Sequence, residues 1–198
     1  GLAVALSRTG RYLIIQGMPR WGQHTLMDFS QAPPSANEFP AHLSDAWSPK
    51  ISHDDTLMAF VSGEQQRDDY VYVTEFPSFE KRYIVNPQTR GTHPFWHPSK
   101  RILFFVDSQA GKLMSVTFDS SDVSFSEPEE LLTLPGNAVM GDMHQPYTLD
   151  ILENEQENQF VMLEGNLPSQ KPNAALTPDA ILVQNWYLEF LSRSQEAE

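Results

Sequence analysis

One pattern recurs along this chain at a fixed interval and constrains its folding more than any other feature. A polar turn followed by an apolar burst occurs at Ser7–Ile15, Ser52–Phe60 and His97–Phe105. Ser7 to Ser52 is 45 residues, and Ser52 to His97 is 45 again. A weaker fourth copy ends in Phe160–Leu163. Matching Phe160 to Ile102 gives a spacing of 58, so that unit carries an insertion. A chain built of equal units stacks them, because one small unit cannot bury its own apolar faces.

The remainder of each unit reads as short strands. Before the burst come Lys50–Ser52 and His93–Trp96. After it come Tyr70–Val73 and Leu113–Thr117, then Arg82–Val85 and Leu131–Leu134. Four short strands in about 45 residues, with turns between them, predict an all-β fold of four-stranded antiparallel blades, as in a β-propeller. The 15 prolines oppose long helices, since each removes a donor and clashes with the preceding turn. The end differs: Ala180–Gln184 reads as a strand, and Trp186–Arg193 as a short helix with Trp186, Phe190 and Leu191 on one face. The expected organisation is a single propeller region over 1–198. It has four blades at about 1–45, 46–90, 91–136 and 137–193, and a frayed polar tail at 194–198. Ser30–Pro40 and Gly165–Pro178 read as exposed inserts within it.

These residues resemble the TolB-type, WD-repeat-like bacterial β-propellers. Their usual unit is a Trp/Phe-Ser-Pro-Asp-Gly turn, a strand ending in an aromatic, and an x-Tyr-Val strand. Ile51–Ser62 followed by Val71–Pro77 is similar to one such unit, and Phe95–Phe105 to the next. Ile181–Leu191 is similar to the segment that closes propellers fused to bacterial kinases or regulators. The turn itself departs from the pattern, reading Thr9-Gly10, Asp54-Asp55 and Ser99-Lys100. That family usually has six or more blades, so the resemblance implies the C-terminal part of a larger, here partial, propeller with an open edge able to associate with another chain. It also favours a periplasmic or extracytoplasmic location, with the cytoplasm as the other reading.

Composition sets limits on function. The net charge of -13 disfavours nucleic acid, which requires clustered Lys and Arg against phosphate. There are no cysteines, which removes disulfide frameworks and thiolate zinc sites. No apolar run reaches the ~18 residues of a membrane-spanning helix. No Gly-x-Ser-x-Gly elbow and no Gly-rich phosphate loop is present. The expectation is a binding scaffold without catalytic residues, metal or cofactor, taking a protein or small molecule at its channel face. Two enzymatic alternatives stay open. One is a propeller attached to a hydrolase, as in prolyl oligopeptidases. The other is a metal-dependent lyase using His93, His97 and His144.

The candidate ligand-binding residues are His93, Asp142 and His144. His93 and His97 lie four apart, but Pro94 and Pro98 bar the helix that would bring them together on one metal; both would line turns at a blade edge. Gly141–Gln145, holding Asp142 and His144, precedes a strand and reads as a loop into the innermost strand; an ordinary polar turn is the competing reading. The carboxylates at Asp68-Asp69, Glu129-Glu130 and Glu153–Glu157 read as solvated surface. Trp21, Trp47, Trp96 and Trp186 do not follow the 45-residue interval and read mostly as core between blades.

Overall fold

A computed structural model describes residues 2–17, 23–65, 68–119, 124–134, 149–153, 158–164 and 179–183. Among these described residues, sixteen strands make four antiparallel sheets. The first holds β1 (Leu2–Leu6), β2 (Tyr12–Gln16), β3 (His24–Asp28) and β4 (Ser35–Glu38) in sequence order. The second holds β5 (Trp47–Ile51), β6 (Leu57–Gln65), β7 (Asp68–Glu75) and β8 (Arg82–Ile84), also in order. The third runs β9 (Gly91–Trp96), β10 (Ile102–Asp107) and β11 (Lys112–Asp119). Its fourth position is shared: β12 (Ser124–Phe125) pairs with one end of β11, and β13 (Glu129–Thr133) with the other. The fourth sheet holds β14 (Leu149–Glu153), β15 (Asn158–Glu164) and β16 (Asp179–Val183).

The apolar bursts are β2, β6, β10 and β15, each the second strand of its sheet. Successive side chains of a strand point to opposite faces, so a burst apolar at every position needs cover on both sides. The core supplies it as three layers between four sheets. Met58, Phe60 and Tyr72 pack with Tyr12, Ile14 and Leu26 of the first sheet. Leu57, Ala59 and Val61 face the other way, onto Trp96, Leu103 and Phe105. Phe104 and Val106 then meet Ile151 and Phe160 of the fourth sheet. The Phe104 and Phe160 rings meet edge-to-face, 5.1 Å apart at 85°, an arrangement favoured by the ring quadrupoles. The first strands of consecutive sheets also touch, β1 against β5 and β5 against β9, so they lie at the inside of the fan.

The repeat persists in single hydrogen bonds. Ser7 N–H donates to Tyr12 O, Ser52 N–H to Leu57 O and His97 N–H to Ile102 O, each at 2.9 Å. The first strand of each of the first three sheets also carries the same β-bulge, two residues facing one, whereas β14 pairs with β15 without a shift. Ala3 and Val4 lie opposite Ile15, Ser48 and Pro49 opposite Phe60, and His93 and Pro94 opposite Phe105. Ser48 and His93 take φ of 51° and 52° there.

Two expectations are corrected. Ser30–Pro40 is not wholly an insert: Ser35–Glu38 is β4, the outer strand of the first sheet, pairing Ala36 with Met27 and Glu38 with Thr25. Its Ser-Ala-Asn-Glu sequence has little strand propensity, and ladder bonds to β3 hold it. Nor does His93 line a turn; it occupies the bulge of an inner strand. The short helix at Trp186–Arg193, the tail at 194–198 and the insert at Gly165–Pro178 lie outside the described residues.

Candidate functional site

The turns between first and second strands bring together the polar residues most used by the fold. Ser7, Ser52 and His97 occupy the same repeat position, and all three are buried. Ser52 Oγ accepts from Leu57 N–H at 3.0 Å and donates to Asp54 at 2.7 Å. Ser7 Oγ accepts from Tyr12 N–H at 3.0 Å. His97 Nδ1 accepts from the N–H groups of Ser99 and Lys100, each at 3.2 Å. That arrangement places the ring proton on Nε2 and makes His97 the anchor of its own turn. Burial raises the Asp54 pKa, but bonds from Thr56 and Ser52 and the Arg101 charge outweigh it and hold the carboxyl down at about 2. On the first sheet, the hydrogen bond from Arg11 holds the Asp28 carboxyl well below the usual carboxylate range, assisted by Ser30.

The turns also bind each other across units. Asp55 accepts from Arg8 N–H at 3.0 Å, from Thr9 N–H at 3.2 Å and from Thr9 Oγ1 at 2.6 Å. Arg8 reaches past the second unit to Pro98 O at 2.7 Å. Arg101 pairs with Asp54 at 2.9 Å.

Of the three sequence candidates, only His93 is described. It is half-buried, with Nδ1 at 3.0 Å from Thr92 Oγ1. Asp142 and His144 lie outside the described residues. Among the described residues no three His, Asp or Glu side chains converge as a metal site would require.

A cleft of about 410 Å³ opens elsewhere, where β2 gives way to β3 and β4 to the crossing that leads into β5. Gly17 N–H donates to Gln23 O at 2.6 Å, closing the neck between β2 and β3. A Cβ on Gly17 would meet Gln23 O at 3.1 Å, so the neck favours glycine. Phe39 N–H donates to His24 O at 2.9 Å and extends the ladder beyond Glu38. The His24 and Phe39 rings lie 5.1 Å apart at 31°, and Phe39 lies 4.8 Å from Phe79. His42 Nε2 donates to Phe79 O at 3.0 Å, which holds the crossing down. Gln23, Glu38 and Ser44 rim the cleft and are exposed. Sequence reasoning missed this site because its residues come from two strand ends and the two loops beside them, with no motif. The one signal was His24, a polar residue at a core-facing position beside Leu26.

No family model matches the sequence, and no curated protein does. Among solved structures, the chain is similar to an auxiliary nutrient binding protein from Bacteroides thetaiotaomicron. The TM-score is 0.53 at 18% identity, over 91% of this chain and 42% of that one. The fold is that of β-propeller blades. The chain spans less than half the length of the Bacteroides protein. A TolB from Agrobacterium tumefaciens is a fainter match, with 12% identity and a TM-score of 0.38 over 92% of this chain and 79% of that one.

Proposed function

We propose that these blades form a non-catalytic recognition module whose ligand is a small, polar molecule held in the cleft beside His24 and Phe39. The observation that carries this reading is the composition of the cleft. It is lined by the rings of His24 and Phe39 together with an amide, a carboxylate and a hydroxyl from Gln23, Glu38 and Ser44. A few placed polar groups beside ring faces are what orient a small ligand. The Bacteroides protein is described as nutrient binding; with it this chain shares a fold, and the ligand assignment rests on the cleft.

The test is calorimetric titration of the purified chain against a panel of small polar metabolites. Binding that weakens at least tenfold in both Glu38→Ala and Gln23→Ala, with folding intact, is the expected result. Binding unaffected by both substitutions removes the ligand from this cleft. Turnover of any panel member that depends on His93 or Glu38 would overturn the non-catalytic reading.

A further inference from the structure

The cleft beside His24 and Phe39 carries acidic charge without basic charge. Its described lining holds one carboxylate, that of Glu38, and no Lys or Arg. Glu38 ends β4 directly opposite Thr25 of β3. Residues paired in this way share a face of the sheet, so the carboxylate and the Thr25 hydroxyl stand side by side. Asp28 and Asp54 are each met by an arginine, Arg11 and Arg101. Among the described residues no cation or hydrogen-bond donor meets the Glu38 carboxylate in that way.

The groups around it complement a donor. An ionised carboxylate only accepts hydrogen bonds, and the hydroxyls of Thr25 and Ser44 and the amide oxygen of Gln23 can accept them too. Phe39 adds apolar surface. Its ring is half-buried and braced on either neighbour, 5.1 Å from the His24 ring and 4.8 Å from that of Phe79.

We infer, resting on the reading of the cleft as a ligand site, that its ligand is a small organic cation with N–H donors, an alkylammonium or a guanidinium. The charged end meets Glu38, and the carbon skeleton lies along Phe39. An anion would face a carboxylate with no basic group beside it. The chain's net charge of -13 also gathers cations at its surface and repels anions. A metal ion is a poor fit. Calcium takes about six to eight oxygen ligands, and among the described residues no three His, Asp or Glu side chains converge. Glu38 is exposed, and solvent screens an exposed ion pair, so the carboxylate alone would hold any ion weakly. Hydroxyl acceptors and a fixed ring add what an organic cation can use and a hydrated metal ion cannot.

Calorimetric titration of the full chain with matched probes isolates the charge. Ethanolamine is compared with ethylene glycol and glycolate, butylamine with butanol and butyrate, and methylguanidine with methylurea. At low salt, where screening is least, at least one cation should bind at least tenfold more tightly than its uncharged and anionic counterparts. Glu38→Gln should remove that preference by weakening the cation, with the uncharged probe and the urea midpoint unchanged. Glu38→Lys should turn the preference towards the anion. An uncharged or anionic probe that binds as tightly as its cation overturns the proposal; if that binding still weakens in Gln23→Ala, the cleft remains a ligand site. A cation preference that survives Glu38→Gln overturns it as well, since the charge would then be read elsewhere. Binding of no probe by the folded chain also overturns it, while the cleft reading falls only if the wider metabolite panel fails too.

Discussion

At the scale of single residues, the turns hold the polar chemistry that the apolar strands cannot. Ser52→Ala removes the acceptor for Leu57 N–H and the donor to Asp54 in a buried turn. It should cost about 1–3 kcal/mol in urea denaturation, the penalty of a buried group left unpaired. Asp54 makes stability depend on pH. Its carboxyl sits at about 2 in the folded chain, below the ~3.9 of an unfolded aspartate, so the unfolded state binds its proton first. The stabilisation is present above pH ~4 and is lost as pH falls towards 2. Allowing for solvent screening at this partly exposed site, it amounts to roughly 1 kcal/mol. Unfolding of Asp54→Asn should therefore show a shallower loss of stability than the parent across that window. Ser48 tests the bulge. Its φ of 51° is costly for a branched side chain, so Ser48→Val should lose about 1–3 kcal/mol, while Ser48→Gly should stay within about 0.5 kcal/mol of the parent.

At the scale of elements, burial on both faces separates the inner sheets from the first. Phe104 lies wholly within the layer between the third and fourth sheets. Phe104→Ala should destabilise by about 3–5 kcal/mol, and Leu13→Ala on the open face by much less. Gly91, at the start of β9, lies close against two side chains. A Cβ there would meet Val71 Cγ2 at 2.8 Å and Phe105 Cδ2 at 3.0 Å. Gly91→Ala should cost about 1–3 kcal/mol through overpacking, read as a lowered thermal midpoint.

At the scale of the whole molecule, the sheets are held by their apolar layers and by the line of turns from Arg8 through Asp55 to Pro98. Asp55→Ala removes the acceptor of three bonds from the first unit. Hydrogen exchange should then accelerate in β1 and β2 while β10 and β11 stay protected. Equal acceleration in all units would mean that the array unfolds as one body rather than from its end.

The interval of 45 residues and the unbroken apolar bursts were legible in the sequence because stacking imposes the same burial on each unit. Burial on two faces removes strand alternation, and this is why Leu57–Val61 and Leu103–Val106 read as continuous runs. The fold class followed from that periodicity. What the linear pattern could not show depends on contacts between units. Ser35–Glu38 becomes a strand only because β3 offers it a ladder. His97, four residues from His93, reads as a possible ligand until its Nδ1 is seen accepting two turn amides. The cleft is assembled from Gln23 and Ser44, 21 positions apart, on separate loops. Leu13 and Met58 are equivalent in sequence, and only the presence or absence of a neighbouring sheet makes one half-exposed and the other buried. Local spacing encodes how each unit is built, whereas the side chains available to a ligand are set by which surfaces the stacking leaves uncovered.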